Sequence, residues 1–163
     1  MNAITSRAHV YGDNIDTDRI IPGKYTKTLD LSHLSAHVLE DLDPTFKDRV
    51  QIGDILVAGD NFGCGSSREQ APLALKVAGV SVVVASYFAR IFYRNAINIG
   101  LPVVEIGNHT IQSNATVSVN LLNGTVLDET SGTSYQAIKM PVVMVDILQA
   151  GGLVNYLKEN GRY

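Results

Sequence analysis

From residue 59 the chain reads Gly59-Asp60-Asn61-Phe62-Gly63-Cys64-Gly65-Ser66-Ser67-Arg68-Glu69. Glycines spaced this way permit positive φ and let backbone approach a ligand closely. Two hydroxyls and a guanidinium follow at once. Ser66 or Ser67 suits the N-cap of a helix running through Ala78, in which Ala71, Leu75 and Ala78 recur at helical spacing. The first N–H groups of such a helix are unpaired and its dipole favours an anion. Arg68 can clamp a carboxylate or phosphate with two parallel bonds. Chemically this is an anion cradle. A glycine turn with an ordinary serine cap and a solvated arginine fits the same residue types.

Better-known anion motifs are absent. Gly63-x-Gly65-x-x-Arg68 puts arginine where the dinucleotide fingerprint needs its third glycine. No Gly-Lys-Ser/Thr follows, which excludes a P-loop, and Gly-x-Ser-x-Gly is missing, so no acyl-transfer elbow is indicated. A second segment, Asp13-Asn14-Ile15-Asp16-Thr17-Asp18-Arg19, alternates acidic residues. A calcium loop counted from Asp13 needs glycine at its sixth position and glutamate at its twelfth, where Asp18 and Lys24 stand. An Asx-type turn with one or two capping carboxylates is the better reading. A third, Gly23-Lys24-Tyr25-Thr26-Lys27-Thr28, is a polar loop with two cations.

The remaining candidates are weaker. Cys64, the single cysteine, excludes an internal disulfide and a cluster held by several cysteines of this chain. A nearby helix N-terminus would lower its pKa and make it reactive, though a lone turn cysteine is more often inert. His33 and His37 share a helix face but lack a third ligand nearby, so no metal is assigned to this chain. Net charge is −3 with no basic run, which disfavours nucleic acid. Charged residues are only 18%, against roughly 25% in ordinary domains, which fits either surface covered by a partner or a compact β-rich domain. The longest apolar stretch, residues 77–88, falls far short of the roughly 20 residues that span a bilayer. No apolar leader is read in the first residues, so the expectation is a cytoplasmic protein without membrane segments.

The elements that must position these residues form one domain over 1–163. Residues 54–58 and 80–85 read as strands, the second fully apolar and covered on both faces. The helix ending at Ala78 separates them, then Tyr87 to Ile99 reads as a helix closed by Gly100 and Pro102 to Ile106 as a strand. Strand, helix, strand, helix, strand predicts an α/β fold with parallel pairing. Before it, Ala8 to Tyr11 reads as a strand and Ser32 as the cap of a helix from His33 to about Leu39. After it, Thr116–Leu121 and Thr125–Asp128 flank Asn123-Gly124, a hairpin signal. Met140 to Val145 reads as either strand or helix start, and Val145 to Asn160 as helix broken at Gly151-Gly152.

Taken in order, these motifs resemble the small subunit of the isopropylmalate isomerase/homoaconitase group, the separate equivalent of the swivelling C-terminal domain of aconitase. Residues 12–18, 22–25 and 59–69 carry the likeness, with Ser86-Tyr87-Phe88-Ala89-Arg90-Ile91-Phe92-Tyr93-Arg94-Asn95 and residues 152–162. The resemblance implies a swivelling β/β/α domain with a central mostly parallel sheet, flanking helices and an extra hairpin. It implies a heterodimer or heterotetramer with a large subunit that carries an iron–sulfur (4Fe-4S) cluster, whose iron acts as a Lewis acid on the leaving hydroxyl of a di- or tricarboxylate. It assigns Ser66 as the base removing the proton α to a carboxylate, Asp18 as an active-site aspartate, and Ser67 and Arg68 as carboxylate ligands. The loop Tyr25-Thr26-Lys27-Thr28 matches the segment facing the variable substituent. There an apolar residue suits an isopropyl group and a cation suits an extra carboxylate, so Lys27 leans toward a tricarboxylate or a more polar malate, while its stem can still pack on alkyl. Gln70 stands where the group commonly has histidine. The expected activity is isomerisation of isopropylmalate in leucine biosynthesis. A homoaconitase or dimethylmalate-type hydratase subunit, or a non-catalytic anion-binding module, are the alternatives.

Overall fold

A computed structural model describes residues 3–27 and 30–161. Its seven strands are β1 (Ile4–Val10), β2 (Ile55–Ala58), β3 (Val82–Ala85), β4 (Val103–Glu105), β5 (Thr116–Asn120), β6 (Thr125–Asp128) and β7 (Thr133–Gln136). They form one sheet in the order β4-β3-β2-β1-β5-β6-β7. The expected α/β fold is present. β1 to β4 pair in parallel, with Ala8 opposite Ile55, Ile55 opposite Val82 and Val83 opposite Val103. β1 is the pivot: Ala8 to Val10 pair with β2, while Ile4 to Arg7 pair antiparallel with β5. β6 and β7 extend the antiparallel side, and the hairpin forecast at Asn123-Gly124 joins β5 to β6.

Every residue of β2, β3 and β4 is buried, as apolar runs covered on both faces require. Alternation divides them. Leu56, Ala58, Val83, Ala85 and Val103 face a core built with α4 (Gln70–Ala78) and α5 (Arg90–Asn98). Ile55, Val57, Val82, Val84 and Val104 face a second core completed by Val117, Val119 and Val126. Burying each valine, leucine or isoleucine among them is worth about 1.5–3 kcal/mol.

Other helices are α1 (Thr17–Ile20), α2 (Leu31–His37), α3 (Phe46–Arg49), α6 (Val142–Gln149) and α7 (Leu153–Asn160). The ambiguous stretch from Met140 is thus the entry to α6, and Gly151-Gly152 separates α6 from α7. Helix starts depart from the sequence reading. α2 is capped by Asp30, whose carboxylate accepts the Ser32 amide, and not by Ser32. α5 starts at Arg90 because Tyr87 to Ala89 are engaged by Phe62: its amide donates to Tyr87 O and its carbonyl accepts the Ala89 amide. No helix among the described residues is long and apolar enough to cross a membrane.

Candidate active site

The loops leaving the carboxyl ends of β1 and β2 run side by side. The Gly59 amide donates to Gly12 O, Asn14 to Asp60 O, Gly63 to Ile15 O and Thr17 to Cys64 O, all at 2.8–3.0 Å. Gly63 makes this possible: its φ is +83°, and a Cβ there would sit 2.2 Å from Phe92 Cγ. The chain then emerges at Ser66 and Ser67, both exposed, followed by the half-buried Arg68.

Neither serine caps α4. The helix begins at Gln70 with Glu69 as its N-cap and no side-chain cap bond. Two causes are visible. Thr17, only 3% exposed, donates its hydroxyl to Ser66 O at 3.0 Å, so the backbone at Ser66 belongs to the neighbouring loop. Pro72 has no N–H to give the Arg68 carbonyl and is tolerated only in a first turn. Ser66 therefore lies four residues ahead of the helix, beyond the strong reach of its dipole. Local donors take over that role. Among the described residues, the backbone N–H groups of Gly65 to Glu69 have no protein acceptor, so they are free to bind an anion.

Asp18 comes from α1 and pairs with Arg68 through Nη1 and Oδ1. The same carboxylate oxygen accepts the Gly23 amide at 3.2 Å. The Arg68 hydrogen bond, and then its charge, hold the Asp18 carboxyl below the usual carboxylate range. Arg68 Nη1 also reaches Ile21 O at 3.5 Å. Its Nε and Nη2 have no acceptor among the described residues, leaving one edge of the fork for a ligand carboxylate. The arginine lies flat against Gly23, where a Cβ would come 3.1 Å from Nη2.

Beyond Gly23 runs the segment expected to face the substituent. A 3-10 turn spans Gly23–Tyr25. Tyr25 and Thr26 are half-buried and Lys27 exposed; Thr28 lies outside the described residues. The structure thus joins Asp18, Arg68 and the turn at Gly23–Tyr25, with Ser66 and Ser67 exposed next to Arg68 in the chain. Three contributors escaped the sequence reading of roles: Thr17, Gly23 and Gln70, whose Nε2 donates to Thr26 O at 3.3 Å. Thr17 sits between Asp16 and Asp18, and its signal was that an uncharged residue interrupts an acidic loop.

His33 and His37 meet edge-on at 4.8 Å beside Tyr25. Among the described residues no group of three or more His, Cys, Asp or Glu is placed to hold a metal ion. With Cys64 as the lone thiol, the donor set does not fit an iron–sulfur cluster.

Residues 42–109 match the aconitase C-terminal domain family. A 3-isopropylmalate dehydratase small subunit from Caldicellulosiruptor bescii is 54% identical over 154 residues, 93% of each chain. This chain belongs to that small-subunit family. A crystal structure of 3-isopropylmalate dehydratase from Methanocaldococcus jannaschii superimposes with a TM-score of 0.93 at 43% identity, covering 98% of this chain and 95% of that one. A 2,3-dimethylmalate dehydratase small subunit from Eubacterium barkeri is 52% identical over 149 residues, 90% of this chain and 91% of that one. Family membership makes the chain a subunit of a hydro-lyase, and the small-subunit names imply a large partner.

Proposed function

We propose that this chain, acting as one swivelling domain in the cytoplasm, is the small subunit of a 3-isopropylmalate dehydratase. It would interconvert 2-isopropylmalate and 3-isopropylmalate through 2-isopropylmaleate once joined to its large subunit. The observation that carries the reading is the exposed Ser66 hydroxyl on the same short loop as an arginine whose guanidinium keeps a free edge. The isopropylmalate assignment follows the names of the relatives.

A serine hydroxyl is a poor base at neutral pH, so its alkoxide needs positive neighbours. Arg68 and the free amides of Gly65 to Glu69 supply them. In the forward step Ser66 Oγ takes the proton from the carbon α to a carboxylate. The C–H electron pair passes onto that carboxylate, which then carries two negative charges facing Arg68 and Ser67. The pair returns to form the C=C bond as the hydroxyl leaves the neighbouring carbon, taking a proton from solvent to depart as water. The alkene diacid then turns over: water adds at the carbon that lost its proton, releasing a proton to solvent, and Ser66 delivers its proton to the carbon that lost the hydroxyl. A cluster on the large subunit, when bound, supplies Lewis acidity at the leaving hydroxyl. Asp18 holds Arg68 in place throughout.

The test is reconstitution with a 3-isopropylmalate dehydratase large subunit and assay on isopropylmalate, 2,3-dimethylmalate, homocitrate and citrate. Isopropylmalate is expected to have the highest kcat/KM. Ser66→Ala should assemble normally and lose about a hundredfold to ten-thousandfold in kcat, the range of a general base. Full activity in that variant removes the assignment.

A further inference from the structure

The segment 23–27 is gripped from two sides by groups to which the reaction gives no part. Tyr25 stacks on His37 of α2, with ring centroids 3.8 Å apart and planes 4° from parallel. His33 meets the same ring edge-on at 5.3 Å. His37 is itself fixed, its Nδ1 3.1 Å from Glu40 Oε2, and the Tyr25 hydroxyl points to Glu40 Oε1 at 3.5 Å. From the other side, Gln70 in the first turn of α4 donates Nε2 to Thr26 O at 3.3 Å. α2 and α4 pack directly on one another, so both grips are anchored in one helix pair.

Gln70 is two residues from Arg68. Its bond to Thr26 O therefore fixes the spacing between the carboxylate clamp and the segment that meets the variable part of the substrate. The malate core common to all candidate substrates is held by Arg68 and Ser67, which neither grip touches. A change in the grips would act on the part of the substrate that differs.

We infer that His37 and Gln70 are positioning residues for substrate selection, setting how far the Tyr25-Thr26-Lys27 backbone stands from the Ser66–Arg68 loop. This rests on the proposed function, in which that segment faces the substituent. Unlike Lys27, neither residue needs to touch the substrate to alter the choice.

Gln70→Glu is the direct test, since it keeps the side-chain size and replaces the donor with an oxygen facing the Thr26 carbonyl. In the reconstituted two-subunit enzyme its KM for isopropylmalate should rise about threefold to tenfold, the range one neutral hydrogen bond sustains. kcat should stay within about twofold, and the ratio of kcat/KM for isopropylmalate over 2,3-dimethylmalate should move by about threefold or more. His37→Ala should do the same, and His37→Phe, which keeps a flat ring under Tyr25, should restore the wild-type ratio. Hydrogen exchange of the full chain supplies a readout without turnover. Amides in 23–27 should exchange about threefold faster or more in Gln70→Glu and His37→Ala, with β3 unchanged. Unchanged exchange in both variants overturns the proposal, as does a fall in kcat at constant KM and constant substrate ratio. A wild-type complex that turns over none of these malates overturns the functional reading and the selectivity with it, while the exchange rates still decide whether the grips exist.

Discussion

Arg68 is asked to do two things at once, and its surroundings decide how it does them. One nitrogen is committed to Asp18 and the Ile21 carbonyl, which fixes the plane of the fork. In the proposed function the remaining edge meets a substrate carboxylate. Because the arginine depresses the Asp18 pKa, the pair contributes to the folded state above the ordinary carboxylate pKa of about 3.9, and is lost only as pH falls through the lower folded value. Asp18 thus stays charged across the neutral range, and Arg68 stays in place. Lysine at position 68 keeps the charge but has no fork, so it cannot hold Asp18 and grip a ligand in plane together. Arg68→Lys should lower kcat/KM about tenfold to a hundredfold, the cost of one charge-assisted hydrogen bond, with the circular dichroism of the chain unchanged. Steady-state kinetics of the reconstituted enzyme decide it, and a loss smaller than about threefold would detach Arg68 from the substrate.

At the scale of elements, the alternation of strands and helices from residue 54 to 106 was legible because buried parallel strands leave unmistakable β-branched runs such as Val82-Val83-Val84. β7 was not legible: Thr133–Gln136 is a polar, largely exposed edge strand with no apolar alternation to see. The start of α4 was misplaced because Ser66 and Ser67 make a plausible cap by type, whereas Thr17, 49 residues away, claims the Ser66 carbonyl. Pro72 was the local clue. The site residues were legible as a motif, but their mutual support (Asp18 on Arg68, Gln70 on Thr26) depends on distant loops meeting. Gly63 is where two elements lock, since the glycine turn rests on the face of Phe92 in α5. Gly63→Ala combines a positive φ with overlap against that ring. It should cost about 2–4 kcal/mol from backbone strain and overpacking together. A lowered urea midpoint checks this; an unchanged one would show that α5 yields freely.

Over the whole molecule, the candidate site and the hydrogen bonds gathered on Asp54 occupy opposite ends of β2. The loops of the candidate site leave the carboxyl ends of β1 and β2. Asp54, immediately before β2, accepts hydrogen bonds from Ser6 at 3.0 Å, Arg7 at 3.1 Å and the Gln51 amide at 3.0 Å, with His9 Nε2 at 2.8 Å. Its side chain is 4% exposed. Arg7 continues to the Arg49 carbonyl, Arg49 to Asp43, and Asp43 to the Tyr11 hydroxyl, whose pKa is pushed up by burial and then by Asp43. The network ties β1 to β2 and to α3. Burial works to raise the Asp54 pKa, but the hydrogen bonds led by His9 outweigh it and hold the carboxyl low. With the folded pKa below the unfolded one, Asp54 stabilises the fold above about pH 4, and that contribution drains away as pH falls through the folded value. Asp54→Asn removes the carboxylate that Ser6, Arg7, His9 and the Gln51 amide share; because Arg7 is itself 37% exposed and solvent screens its charge, the cost should be about 1–3 kcal/mol at pH 7. Urea unfolding at pH 7, 5 and 3 should show the wild type losing stability toward pH 3 more steeply than the variant. Parallel acid slopes in the two proteins would place the acid sensitivity elsewhere. Because Asp54 stands at the opposite end of β2 from the Ser66 loop, the folded fraction of Asp54→Asn should keep its turnover in the reconstituted enzyme.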